Sequence, residues 1–190
     1  MKHSKLIVTL TALLLCAVMV FSLTSTAFAK KEIDWEAWEK KAEKLLRNEG
    51  HSLNGIVRVE CSVIRPEGKD EYVIAFYKTY EGTKAQYRLI FSPKGTLLIL
   101  ETNNPGAGAS IINDPDPDTV DKKLFEKGKK AVKDFLKRNL PTKVKLANNL
   151  VVDQILTKGN ETYLTLTNKR AGVVFRVRVV PSARIEHYWP

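Results

Sequence analysis

Two kinds of hydrophobic pattern alternate along the chain after residue 30. The stretch 32–50 has apolar residues at helical spacing, and four strand-like stretches follow it, of which 72–77 is apolar on both sides. The same order, one helix and then four strands, returns after residue 118. The pattern predicts an α+β protein of two repeated units, each with one helix packed on a four-stranded antiparallel sheet.

The first unit is predicted at 30–102. Its helix has Asp34 as a suitable N-cap and Gly50 in place to end it. Short turns rich in Gly, Pro or charge separate the strands, as they do in hairpins. The predicted strands are 55–64, 71–80, 85–91 and 96–101, and the apolar stripe of the helix is Trp35, Trp38, Ala42, Leu45 and Leu46.

The second unit is predicted at 118–190, after a linker at 103–117 that has three prolines and neither period. Asp118 or Thr119 is expected to cap its helix. Gly128 interrupts the middle of that helix at a cost of about 1 kcal/mol relative to Ala. The predicted strands are 142–157, 162–168, 172–180 and 183–189.

Short sequence motifs that occur twice support an internal duplication. The tripeptide Lys-Lys-Ala occurs at 40–42 and 129–131, and Arg-Asn occurs at 47–48 and 138–139. Pro93 and Pro181 also correspond, 88 positions apart. Because these motifs recur in the same order within a repeated order of elements, they indicate two copies of one unit.

Strand alternation assigns side chains to the two faces of each predicted sheet. Apolar residues face the helix, and an antiparallel sheet can leave its other face in water. Toward the helix we expect Val57, Val59, Cys61, Tyr87, Leu89 and Phe91, then Phe175, Val177 and Val179. Toward water we expect Arg58, Glu60, Gln86 and Arg88, then Lys143, Lys145, Arg176 and Arg178.

The first 29 residues read as a signal peptide. A short basic start precedes a long uncharged apolar run, and Ala27 and Ala29 give the small-x-small cleavage pattern. We therefore expect cleavage after Ala29 and a secreted or extracytoplasmic protein of the bacterial cell envelope. The alternative is an uncleaved anchor, since the run is long enough to span a bilayer. Lipid attachment at Cys16 is disfavoured because Leu15 stands where a small residue is needed.

Charge and cysteine content narrow the setting further. The chain has 31 basic and 21 acidic residues, and loss of Lys2 and Lys5 with the leader lowers the net charge from +10 to +8. A basic exported protein meets anionic surfaces, although the excess can also serve solubility alone. Cys61 is the only cysteine beyond the leader, so core burial must stabilise the fold without an intramolecular disulfide.

The sequence offers little catalytic chemistry. The mature chain has His51 and His187, without the spacings typical of zinc sites, nucleophile elbows or phosphate-binding loops. A Cys61–His187 pair would lack an orienting third group. The aspartates of 113–121 lack the pattern of a calcium loop and favour helix capping. We expect a non-enzymatic protein with no metal and no small-molecule cofactor; a small hydrolase is the enzymatic alternative.

The first unit resembles a PepSY domain and, more broadly, the cystatin-like superfamily. The resemblance rests on the helical segment at 37–50, on Tyr72-Val73-Ile74 and on the turn at 92–97. The two-copy layout is also similar to the β-lactamase inhibitory protein family. The resemblance implies small exported α+β units that inhibit or regulate an envelope peptidase or another secreted enzyme.

Two binding functions follow from these patterns. The first is contact with a protein partner at the cell envelope, through an edge strand or through the hairpin turns at 81–84 or 158–161. Trp35 and Trp38 are either core residues or anchors for that partner. The second is binding of an anionic cell-wall or extracellular polymer, with no specific nucleic acid. Its candidate contacts are Arg58, Arg88, Lys143, Lys145, Arg176 and Arg178.

Overall fold

Two α-helices and nine strands make up the part of the chain that the computed structural model describes, residues 32–103 and 109–190. The predicted signal peptide and Cys16 lie outside these residues. Among the described residues, no helix is both long and apolar enough to cross a membrane. The helices are α1, Trp35–Asn48, and α2, Lys122–Asn139. The strands are β1 Arg58–Ile64, β2 Glu71–Tyr77, β3 Tyr87–Phe91, β4 Leu97–Thr102, β5 Ser110–Asn113, β6 Val151–Lys158, β7 Glu161–Asn168, β8 Val173–Val180 and β9 Arg184–Trp189.

All nine strands belong to one antiparallel sheet in the order β1-β2-β3-β4-β9-β8-β7-β6-β5. The α+β class predicted from the sequence is confirmed. The strands of the two predicted sheets are continuous, however, because β4 and β9 pair where Leu100 lies opposite Tyr188. Pairing of these two strands covers two edges that would otherwise expose unpaired backbone groups.

Both helices pack on the same face of the sheet. On the first half, the Trp38 ring of α1 lies 5.6 Å from the Phe91 ring. On the second half, the Phe135 ring of α2 lies 5.7 Å from the Tyr188 ring. Since Tyr188 and Leu100 are paired neighbours and share a face, the buried residues under both helices form one continuous hydrophobic core.

Most of the residues predicted to face the helices are buried there. Tyr87, Leu89 and Phe91 belong to the core, as do Phe175, Val177 and Val179. Val59 and Cys61 are partly buried and pack against it. Val57 is different: it precedes β1 and is 39% exposed.

The predicted linker at 103–117 contains a strand. Residues Ser110–Asn113 form β5, which pairs with β6 so that Ile112 lies opposite Ile155. The expectation of a stretch without secondary structure is therefore wrong here. Four residues are too few to show a clear period, and the neighbouring prolines and glycines indicate a loop.

The strand predicted at 142–157 is wrong in its first half. Residues Pro141–Ala147 form a 3-10 helix, and β6 begins at Val151. Proline fixes φ near the helical value and suits the first helical position, so Pro141 favours the turn over a strand. Lys143 and Lys145 consequently do not lie on a sheet face.

The second helix begins later than its predicted cap. Asp121 is the N-cap, and its carboxylate accepts hydrogen bonds from the backbone N–H groups of Lys123 at 2.7 Å and Leu124 at 3.3 Å. The earlier acidic residue Asp116 instead accepts from the backbone N–H of Asp118 at 3.0 Å. Asp116 and Asp121 each make an Asx-type contact, in which a side-chain oxygen accepts from a nearby backbone N–H. Because the acidic run offers several such positions, the sequence alone predicted the cap at Asp118 or Thr119.

Candidate functional site

The face of the sheet opposite the helices carries a row of side chains, polar on every strand but β2, that crosses all nine strands. We call this face the outer face. Strand register places Arg88 beside Glu101 and Arg176 beside His187. Because Leu100 pairs with Tyr188, Glu101 and His187 are neighbours across the middle of the sheet. The row consists of Glu60, Ala75, Arg88, Glu101, His187, Arg176, Thr165, Gln154 and Asn113.

A groove of about 460 Å³ lies on the outer face of β1–β4. Its floor is formed by side chains of β1 to β4, and the loop between β2 and β3 forms one wall. The groove is mixed in chemistry, since it has charged, hydroxyl and small apolar groups. Its characteristic members are Glu60, Ala75, Tyr77, Lys84, Arg88 and Glu101.

The loop at 78–86, between β2 and β3, is fastened to β1 by Arg58. The guanidinium donates to the carbonyl of Gly82 at 2.8 Å and lies 4.0 Å from the centre of the Tyr77 ring. It also pairs with Glu60 at 3.3 Å. Through these contacts the Arg58 guanidinium anchors the loop.

Tyr80 stands on this loop and is 71% exposed, the largest exposure among the large hydrophobic residues that the structure describes. The sequence predicts a strand that ends at residue 80, whereas β2 ends at Tyr77. The adjoining turn at 81–84 was predicted, but the exposed tyrosine beside it was missed. The signal for it is the polar run around Gly82 that follows Lys78.

Tyr77 connects the floor of the groove to β1. Its hydroxyl donates to Glu60 at 2.9 Å. Burial, followed by this carboxylate, raises the pKa of Tyr77 above its ordinary value. The phenol therefore stays protonated at neutral pH and acts as a hydrogen-bond donor.

The other outer-face arginines named from the sequence are engaged with partners or buried. Arg88 pairs with Glu101 at 3.1 Å, and Arg178 pairs with Glu161 at 3.1 Å. Burial lowers the pKa of Arg176, whose Nε has no hydrogen-bond partner within the described residues. Because their charges are paired or buried, these arginines have little charge left to bind a ligand.

His187 is buried in the middle of the outer face. Its ring lies 4.6 Å from the Trp189 ring, and neither ring nitrogen has a hydrogen-bond partner in the described chain. Burial, and then the nearby Arg176, lowers the pKa of His187 to about 4. The imidazole is neutral at pH 7.

The two tryptophans named as candidate anchors both contact Tyr72 of β2. The Trp38 ring lies 4.9 Å from it and the Trp35 ring 5.7 Å, each edge to face. Trp38 also packs against the core, and the ammonium of Lys41 lies 5.1 Å from its ring. The sides of the two tryptophan rings that face β2 are therefore already in contact with the protein itself.

A buried polar cluster lies where α1 ends beside β9. The Nε2–H of His51 donates to the carbonyl of Ile185 at 2.8 Å. Glu186 accepts from the hydroxyl of Thr102 at 3.0 Å and from Nε of Arg184 at 2.8 Å. Burial, and then Arg184, lowers the pKa of His51 to about 4. Sequence reasoning missed this cluster because its members come from distant segments.

Cys61 is not activated for nucleophilic chemistry. Burial raises the pKa of Cys61, which keeps the thiol protonated and a poor nucleophile at neutral pH. Within 32–103 and 109–190, no group of three or more His, Cys, Asp or Glu side chains is arranged to hold a metal ion. What the arrangement offers is a fastened loop with an exposed aromatic beside a polar groove.

Comparisons with known proteins add no relative: no protein-family model, no curated protein and no solved structure matches this chain.

Proposed function

We propose that this protein is an exported, non-enzymatic binding protein that contacts a partner protein through the loop at 78–86. The observation that carries the proposal is Tyr80, 71% exposed on a loop that Arg58 fastens to the sheet. Tyrosine is enriched among residues that dominate binding energy at protein interfaces. The role we infer is inhibition or regulation of a secreted or envelope enzyme.

The fastening of the loop favours recognition because an ordered loop loses less conformational entropy on binding. Besides the Arg58–Gly82 hydrogen bond, the backbone N–H of Gln86 donates to the carbonyl of Phe76 at 2.7 Å. The loop therefore leaves and re-enters the sheet at paired positions, with Tyr80 between them. A partner cleft would receive a tyrosine carried on a loop that is already anchored.

The groove beside the loop supplies a second contact area. Lys84 and Glu101 give it charges of both signs, and Ala75 gives it a small apolar floor. A protein partner fits this mixture better than a polyanion would, because the arginines there are paired with carboxylates.

The proposal also covers the evolutionary origin of the fold. We infer that α1 with β1–β4, and α2 with β6–β9, are two diverged PepSY/cystatin-like units joined through β4 and β9. In this correspondence the loop at 78–86 matches the loop at 169–172, so nine residues stand where the second copy has four. A longer loop in one copy is expected if that copy acquired the binding role.

The test is recovery of the partner from an envelope extract of the secreting cell on immobilised protein. Tyr80→Ala is expected to weaken retention at least about 30-fold, since truncation of such an aromatic costs roughly 2 kcal/mol or more. Val151→Ala is the matched control, because Val151 is also exposed, at 39%, and lies outside the loop. Equal retention of the partner by both variants would show that the loop does not contact the partner.

A further inference from the structure

The positive charge of the protein is concentrated on α2. Its 18 residues include eight Lys or Arg and two Asp or Glu. By contrast, α1 has four basic and three acidic residues in 14. The excess of basic over acidic residues in α2 is therefore a large share of the net charge of +10.

Three lysines of α2 form an exposed stripe. Lys130, Lys133 and Lys137 are spaced by three and four residues, which places them on one side of a helix. All three are exposed, and none takes part in an ion pair found within the described residues. By the helical rise, the stripe is about 10 Å long.

An open groove of about 810 Å³ runs beside the stripe. Lys129, Lys130 and Lys133 line one side, and Asn148 and Asn149 line the other. Both asparagines are exposed, so their amides can donate hydrogen bonds to a ligand. The groove thus combines several cations with neutral donors and has one acidic residue, Glu126, which pairs with Lys129 at 2.6 Å.

The basic residues of the outer face provide no comparable surface. Arg58, Arg88 and Arg178 each pair with a glutamate. Lys145 is exposed on the 3-10 helix that follows α2, and Lys143 donates to the Tyr188 hydroxyl at 3.4 Å. The lysine stripe on α2 is therefore the better surface for an anionic ligand.

We propose that α2 and the groove at Asn148 and Asn149 bind a soluble linear phosphodiester polymer. Lysine ammonium groups are compact point charges that attract phosphate without demanding a fixed geometry, so binding is independent of the groups between phosphates. An extended polymer can follow the stripe from Lys130 to Lys137 while the amides contact its phosphate oxygens. This function is separate from the proposed contact at Tyr80.

An anionic bilayer is a poorer occupant of the same surface. A helix that lies in a membrane interface inserts its apolar side among the lipids. The apolar side of α2 is already used, because Val132, Phe135 and Leu136 are fully buried in the core. The surface is left with charge alone, which suits a polymer in solution.

The experiment measures binding of a fluorescent glycerol-phosphate oligomer to the full mature chain by anisotropy over a series of salt concentrations. The wild type is expected to bind with log K falling linearly with log salt, by about 0.7 per phosphate contacted. The triple variant Lys130→Gln, Lys133→Gln, Lys137→Gln should bind at least about tenfold more weakly and lose about 2 from that slope. Tyr80→Ala should bind the oligomer as the wild type does.

The matched control removes three exposed lysines elsewhere: Lys44→Gln, Lys69→Gln, Lys94→Gln. It has the same net charge as the first variant and should retain affinity within about twofold of the wild type. Equal weakening by both triple variants would overturn the proposal, because net charge alone would then explain binding. So would the absence of oligomer binding, or binding only to vesicles of phosphatidylglycerol. Urea unfolding of both variants checks that each is folded.

Discussion

Glu49 and Arg138 join the C-terminal ends of the two helices. Nη2 of Arg138 lies 2.7 Å from one carboxylate oxygen of Glu49, and Nε lies 3.0 Å from the other. Asn139 donates to the same carboxylate at 2.8 Å. The Glu49 side chain is 2% exposed, whereas that of Arg138 is 48% exposed. The two ends of this ion pair are therefore unequal in their access to water.

That inequality predicts unequal costs of mutation. Arg138→Ala leaves a buried carboxylate with one remaining donor and should lower the free energy of unfolding by about 3 kcal/mol. Glu49→Ala leaves a guanidinium that water can reach, so we expect a loss of about 1–2 kcal/mol. Urea unfolding of the two variants measures the difference. Equal costs would contradict the unequal burial of the two side chains.

The two buried histidines predict a stability that falls in mild acid. His51 and His187 each have a pKa of about 4 in the folded protein, against about 6.5 when unfolded. The unfolded state therefore binds more protons between these values. Their contribution is complete above pH 6.5 and is lost as the pH falls towards 4, by up to about 3 kcal/mol for each group.

His187→Phe separates the two contributions. Both ring nitrogens of His187 lack partners in the described chain, so a phenyl ring of similar shape should cost little at pH 7. The variant should show about half of the wild-type loss of unfolding free energy between pH 6.5 and 4. An unchanged pH profile in urea unfolding would mean that His187 is already charged or solvated in the native state.

Gly128 marks the close approach of α2 to the sheet. A Cβ added there would lie 3.1 Å from Cδ1 of Leu166 and 3.4 Å from Cδ1 of Leu164. The weak spot seen in the sequence is thus a packing requirement. Gly128→Val should lower the free energy of unfolding by about 2–3 kcal/mol, because overpacking against Leu166 outweighs the small gain in helix propensity over glycine.

Ala131→Val is the matched control for the last substitution. Ala131 lies in the same helix and is only partly buried, so added volume there has room to turn toward solvent. Thermal or urea unfolding should show a loss below about 1 kcal/mol for it. Similar losses at both positions would indicate that contact with Leu166 does not decide the effect.

Much of the fold was predictable from periodicity. The alternation at Phe175, Val177 and Val179 identified a half-buried strand, and the stripe of α1 identified its buried side. The join between Leu100 and Tyr188 was not predictable, because register between strands 88 positions apart leaves no local signal. Local pattern also failed at β5, where the pairing partner β6 decides the structure of Ser110–Asn113.

The candidate site was less predictable than the fold. Arg58 and Arg88 were identified as outer-face residues, but sequence could not show that each has a glutamate partner. Arg88 and Glu101 pair across two strands, so their separation in sequence says nothing about distance, whereas Arg58 and Glu60 are two positions apart on β1. Tyr80 was missed because its exposure depends on where β2 ends.

The contact at Tyr80 is tested most directly by a photo-crosslinking amino acid placed at position 80 in the protein expressed in its native cell. The same amino acid at position 151 serves as the control, since Val151 is also exposed and lies outside the loop. We predict one discrete adduct of defined mass from position 80, absent from position 151 and lost when unlabelled wild type is added in excess. No adduct at position 80, or the same adducts from both positions, would contradict the proposed function.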